Sequence, residues 1–218
     1  MNHELDLLNS VIKCRSYRTS WDREAYIVIP ATPCTGLLYV TENNRSFISG
    51  HIRVRGKSDG SYPYHYLQMI DSIFGTDDNT IEVCSGYVKA GTDGAHVTVD
   101  INADRDPSQV LDAQIMAPIA DESFTRWRAD PPYNEKTAKE MYKGKLPNTM
   151  KLLTAGARVC KTGSLMFLLL GPQNWQMCPS GVKRIGLVFI SVVPNNEIRC
   201  LNIFYKYASE PKHRLDEY

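Results

Sequence analysis

The chain has 218 residues, 43% of them hydrophobic, enough for one sizeable core and short for two independent domains. Its 25 Lys and Arg stand against 24 Asp and Glu, so no global field draws it onto nucleic acid or membrane, and polyanion binding requires a local patch. Six cysteines at positions 14, 34, 84, 160, 178 and 200 form no CxxC or CxxH pair, which argues against a zinc site; with no apolar leader in "MNHELDLLNSVIKC", free thiols in a reducing cytoplasm are expected.

Residues 1–60 read as an N-terminal extension, with short strands in "AYIVIPATPC", "GLLYV" and "HIRVRGK" broken by Pro and Gly. In the last of these a period of two puts His51, Arg53, Arg55 and Lys57 on one strand face, ahead of the aromatic "YPYHY". That pattern suits a phosphate-contacting surface with stacking neighbours. It equally suits a solvated edge-strand face whose charges discourage aggregation.

Next, Tyr66, Met69, Ile70 and Phe74 recur at near-helical spacing, and Gly75 is placed to stop the helix. Short apolar runs follow in "TIEVC", "HVTVDI", "FTRWRA", "SLMFLLLG", "RIGLVFISVV" and "IRCLNIFYK", which predict strands alternating with helical segments in an α/β domain with a mainly parallel sheet. Helices are expected near Glu135 to Tyr142 and from Pro147 to Lys161. In the second, Pro147 suits the first turn, Met150, Leu153, Ala157 and Cys160 share a face, and Gly163 follows the last basic residue. The run "LMFLLL" falls far below the roughly 20 residues of a membrane span and reads as a buried strand. The last two strands, joined by "PNNE", predict an antiparallel hairpin at the sheet edge.

The chemistry concentrates in "DPPY", Asp130 to Tyr133, where a parallel strand hands over to its loop at the carboxyl edge of the sheet, the edge at which open α/β sheets bind ligands. Pro131 and Pro132 fix φ and donate no hydrogen bonds, so the turn is stiff and its carbonyls are available as acceptors. Asp130 adds a carboxylate acceptor and Tyr133 a flat stacking face. Together they suit a planar heterocycle bearing an exocyclic amino group. A structural alternative, in which the prolines end a strand and Tyr133 caps the core, uses the same residues.

The order "IEVCSG", "VTVDIN", "RADPPYNE" and "GARVCKTGSLMFLL" resembles the class I S-adenosylmethionine-dependent methyltransferases, in particular the amino-methylating type that modifies adenine in DNA. The resemblance spans about Tyr66 to Lys206 and is strongest at Asp130 to Tyr133. It implies a Rossmann-like methyltransferase domain over residues 61–218, a mostly parallel sheet ending in an antiparallel hairpin, with S-adenosylmethionine as cofactor. Glu82, Cys84 and Gly86 would supply the acidic, glycine-rich cofactor loop, Asp100 the acid for the ribose hydroxyls, and Asp112 the contact to the cofactor adenine. The chain departs from the family where Val88 replaces a second loop glycine. The stretch from Tyr87 to Ala95 is also nearly too short for a crossover helix, so that either a loop replaces the helix or the strand register differs.

The mechanism implied by the resemblance has Asp130 and the Pro131 carbonyl accept hydrogen bonds from the amino group, while Tyr133 stacks on a base that a duplex must first release. Arg53, Arg55 and Lys57 are the candidate nucleic-acid contacts, with DNA favoured, RNA possible and no membrane expected. The chain is short for a separate target-recognition region, so a specificity partner protein is one expectation. RNA guanine or adenine, a small-molecule amine, and a noncatalytic binding protein of the same fold are the alternatives.

Overall fold

Apolar runs separated by turns pair side by side into one sheet in the computed structural model, which describes residues 14–18, 24–28, 36–41, 47–55, 62–91, 94–142, 144–172, 177–193 and 197–208. In chain order the elements are β1 (Cys14–Arg18), β2 (Glu24–Val28), β3 (Gly36–Thr41), β4 (Phe47–Arg55), α1 (Tyr66–Phe74), β5 (Thr80–Val83), β6 (Val97–Asp100), β7 (Gln109–Val110), β8 (Phe124–Ala129), α2 (Glu135–Tyr142), α3 (Thr149–Val159), β9 (Cys160–Leu170), β10 (Val182–Val193) and β11 (Glu197–Lys206). The strand order is β1-β2-β3-β4-β10-β11-β9-β8-β5-β6-β7.

From β7 to β10 this is an α/β arrangement with a mostly parallel seven-strand sheet ending in an antiparallel hairpin. Strands β7, β6, β5, β8 and β9 run parallel, β11 opposes β9, and β10 opposes β11. The chain winds outward from β5 through β6 to β7, then returns to β8 and winds the other way. The direction of winding therefore reverses between β5 and β8, which opens a crevice at their carboxyl ends.

The hairpin is not at the sheet edge as expected. β10 also pairs in parallel with β4, beyond which β3, β2 and β1 follow antiparallel, so the β10 backbone groups are shared on both sides. Nor is β4 an edge strand, since β3 and β10 flank it. Between β5 and β6 the described residues form turns and no helix, with an isolated bridge from Ala90 to Ala95, so a loop makes this crossover.

One helix covers each face of the parallel sheet. Tyr66, Met69, Ile70 and Phe74 of α1 are buried against Phe167, Leu169, Val188, Leu201 and Ile203, and Gly75 ends the helix at φ 77°. Leu152, Leu153, Ala155 and Val159 of α3 are buried against Trp127, Met166, Leu168 and Phe204. Each Val, Leu, Ile, Met or Phe side chain so buried contributes about 1.5–3 kcal/mol. The α3 boundaries differ from expectation. Asn148 supplies the N-cap, its side chain accepting from Lys151 N at 3.1 Å, so Pro147 lies before the helix. The buried face also turns: Met150 and Ala157 are half-buried, and Cys160 already opens β9, with Gly163 inside that strand at φ 91°.

Candidate active site

Strand β8 alternates large buried side chains between the two faces of the sheet. Trp127 and Ala129 face α3, while Arg126 and Arg128 face α1. Arg126 closes the carboxyl end of α1, donating to Phe74 O at 3.1 Å and Gly75 O at 2.8 Å, and pairs with Asp71 at 3.2 Å. Arg128 Nε donates to Glu82 Oε2 at 2.7 Å, and the Tyr62 hydroxyl donates to Glu82 Oε1 at 2.5 Å. Tyr62 stacks on Tyr66 with ring centroids 4.8 Å apart. These paired, buried charges hold the segment before α1 against the end of β8.

Asp130 leaves β8 at that carboxyl end. Its side chain is 10% exposed, accepts a short hydrogen bond from the Tyr133 hydroxyl and pairs with Arg199 across 3.7 Å from Nη1 to Oδ2. Arg199, near the start of β11, also lies over the Tyr133 ring, 4.7 Å from its centroid, and pairs with Glu197 at 3.6 Å. Burial pushes the Asp130 carboxyl up to about 6, against the opposing pull of Arg199 and of the Tyr133 hydrogen bond. Burial, then the Asp130 charge, raises the Tyr133 hydroxyl well above its ordinary range.

Beside this cluster a cleft of about 470 Å³, counting space open to solvent, crosses the carboxyl ends of the parallel strands. Cys84, Asp100, Asp112 and Pro132 line it, and the stretch after α2 adds Gly144, Lys145 and Pro147. Asp100 is buried at the end of β6, its Oδ2 accepting from Gly86 N at 3.0 Å and Oδ1 from Asn102 N at 2.9 Å. The Asp112 carboxylate accepts from Gln114 N at 2.9 Å, and Gln114 Oε1 accepts from Asn148 N at 2.8 Å, which ties this turn to the start of α3. Ile101, 59% exposed, gives the cleft an apolar wall next to Asp100. Cys84 has φ 52°, a conformation uncommon outside glycine. Burial raises its thiol first, and the charges of Asp100, Asp130, Glu82 and Asp112 raise it further.

The residues selected from sequence thus divide. Cys84, Asp100, Asp112 and Pro132 meet in one cleft, with Asp130, Pro131 and Tyr133 adjoining it through Pro132. Glu82 and Gly86 serve it indirectly, Glu82 being fully buried between Tyr62 and Arg128, and Gly86 holding Asp100 through its backbone. Val88, where a second loop glycine was expected, is buried in the core under α1. Arg55 is exposed at the end of β4, its guanidinium 5.8 Å from the Tyr64 ring. Because β4 runs parallel to β10, Arg55 lies on the same side of the sheet's carboxyl edge as Asp130, but register places Asp130 level with Gly50, so Arg55 is four strands across and five residues further along, roughly 25 Å away. Arg53 is in backbone register with Ser191, and Lys57 lies outside the described residues.

Sequence reasoning missed Arg199, Gln114 and Lys145. Arg199 lies in "IRCLNIFYK", where the strand pattern alone gave no sign that the start of β11 comes within reach of the loop after β8, and Lys145 lies in a stretch without periodicity. Among the described residues no helix is long and apolar enough to cross a membrane, and no group of three His, Cys, Asp or Glu could hold a metal ion. Comparison with protein-family models and with curated proteins finds no match to this chain.

Proposed function

We propose that the protein is an S-adenosylmethionine-dependent methyltransferase acting on an exocyclic amino nitrogen, with adenine in DNA the first substrate class to test. One observation carries the proposal: "DPPY" stands at the carboxyl end of β8, beside the point where the winding reverses, and its Pro132 lines a cleft there together with Cys84, Asp100 and Asp112. Counted from β5, the parallel strands run in the order 3-2-1-4-5, the run found in doubly wound dinucleotide-binding sheets, which supports a Rossmann-like domain.

The cleft suits the cofactor in its chemistry. It offers a buried carboxylate at Asp100, an apolar wall at Ile101 and a cation at Lys145. Asp100 would accept from the ribose hydroxyls, and Asp112 with Gln114 would meet the adenine. When bound, the cofactor supplies an electrophilic methyl group.

An exocyclic amino nitrogen is a poor nucleophile because its lone pair is delocalised into the ring. Asp130 and the Pro131 carbonyl would accept its hydrogens, localise that pair and orient it. The Tyr133 hydroxyl must then release Asp130. With its carboxyl pushed up to about 6, Asp130 can also hold the departing amino proton near neutral pH. The specific test is transfer of a labelled methyl group to single-stranded and duplex DNA, RNA and small heteroaromatic amines. Label on amino nitrogen that is lost in Asp130→Ala is expected, and label on no acceptor class in wild type contradicts the proposal. The noncatalytic alternative draws on buried Val88, and cofactor binding without any transfer would favour it.

A further inference from the structure

We infer that Arg199 is the positioning residue of this site, holding the Asp130 carboxylate and the Tyr133 ring in one arrangement from the start of β11, two strands away from β8. Its guanidinium makes two contacts with the tetrapeptide at once, the ion pair to Asp130 Oδ2 at 3.7 Å and the approach to the Tyr133 ring at 4.7 Å. A planar cation can satisfy a carboxylate and a ring face together, which an ammonium does less well. Glu197, 3.6 Å from Nη2, anchors the guanidinium on its far side. The Arg199 side chain is 16% exposed and its buried Nε has no hydrogen-bond partner, so the residue is not held there by backbone acceptors around Nε. The inference deepens the methyltransferase proposal and rests on Asp130 being the acceptor in it.

The surroundings of Asp130 explain why such a cation is needed. Glu82 and Cys84 come from β5 and its end, Tyr62 and Tyr66 from the start of α1, and Tyr133 from its own loop; none of these brings a positive charge. Arg128 is directed to Glu82. Among the described residues, Arg199 is the cation paired with the acceptor carboxylate. Without it only the Tyr133 hydrogen bond opposes burial, and the carboxyl keeps its proton to still higher pH.

The test uses the full chain, two Arg199 variants and one Asp130 variant for assignment. The Asp130 carboxyl carbon is followed by NMR against pH, assigned by its loss in Asp130→Asn, in wild type, Arg199→Gln and Arg199→Lys. The expected midpoint is about 6 in wild type, higher in Arg199→Gln and intermediate in Arg199→Lys. A shift of one pH unit, the low end for an opposite charge at this distance, would leave Arg199→Gln roughly fivefold less active at pH 6 and nearly wild-type by pH 8. An unmoved midpoint in both variants overturns the inference, as does an activity loss equal at all pH values, which marks a merely structural role. Because the titration needs no cofactor or substrate, a moved midpoint with no methyl transfer by wild type condemns the methyltransferase proposal and leaves the positioning of Asp130 standing.

Discussion

At the scale of single residues, the physics of the site is a contest over one carboxyl group. Asp130 is buried beyond the end of β8, where loss of water favours its proton, while Arg199 and the Tyr133 hydroxyl favour the charge; burial wins, and the group titrates near 6. The sign of the linkage to folding follows. An unfolded Asp titrates near 3.9, so between about pH 4 and 6 the folded protein holds a proton that the unfolded chain has lost, and stability declines as pH rises through that window. Glu82 and Asp71 are raised by burial as well and slope the same way. Urea denaturation of wild type and Asp130→Asn at pH 4.5 and 7 separates them: the variant should lose part of the decline, and an unchanged difference between the two pH values would show that Asp130 is not held out of water. Sequence identified Asp130 and Tyr133, because two consecutive prolines after an apolar strand leave few other conformations. It could not identify Arg199, whose position depends on which strand neighbours β9.

At the scale of elements, α3 packs tightly on β8 at Gly156. A Cβ at Gly156 would stand 2.8 Å from Trp127 Cε2 and 3.0 Å from Met166 Cε, and the Trp127 ring is fully buried, with little room to give. Gly156→Ala would regain about 1 kcal/mol of helix propensity. Overpacking costs about 1–3 kcal/mol, so a net loss of stability is expected in denaturant, and a gain would mean that the ring shifts freely. A clash of this kind is invisible in sequence, where Gly156 in "TAGARV" reads only as a weak helix position. The six strand runs from "TIEVC" onward and all three helices were legible, since their periods are clean. The start of α3 was not, because Pro147 and Asn148 both carry helix-start signals and the side-chain cap decides between them. Arg126 and Arg128 gave no hint of burial either, since only the pairing of β8 with β5 and its packing under α1 supply their partners.

At the scale of the whole molecule, the strand order gathers residues distant in sequence at one edge. Cys84, Asp100, Asp112 and Pro132 end or follow four different strands, and they meet because β5, β6, β7 and β8 are parallel neighbours whose carboxyl ends point the same way. The strand sequence predicted a parallel sheet with a terminal hairpin; the continuation through β4 was not legible, as short strands broken by Pro and Gly carry no pairing information. On the proposed function, this edge would hold S-adenosylmethionine on Asp100 and present its methyl group beside Asp130. The most direct measurement is calorimetric titration of S-adenosylhomocysteine into wild type, Asp100→Ala and Asp130→Ala. Micromolar binding by wild type is predicted, weakened about tenfold or more, some 1.4 kcal/mol, in Asp100→Ala and nearly unchanged in Asp130→Ala. No heat of binding in wild type, or equal losses in the two variants, would contradict it.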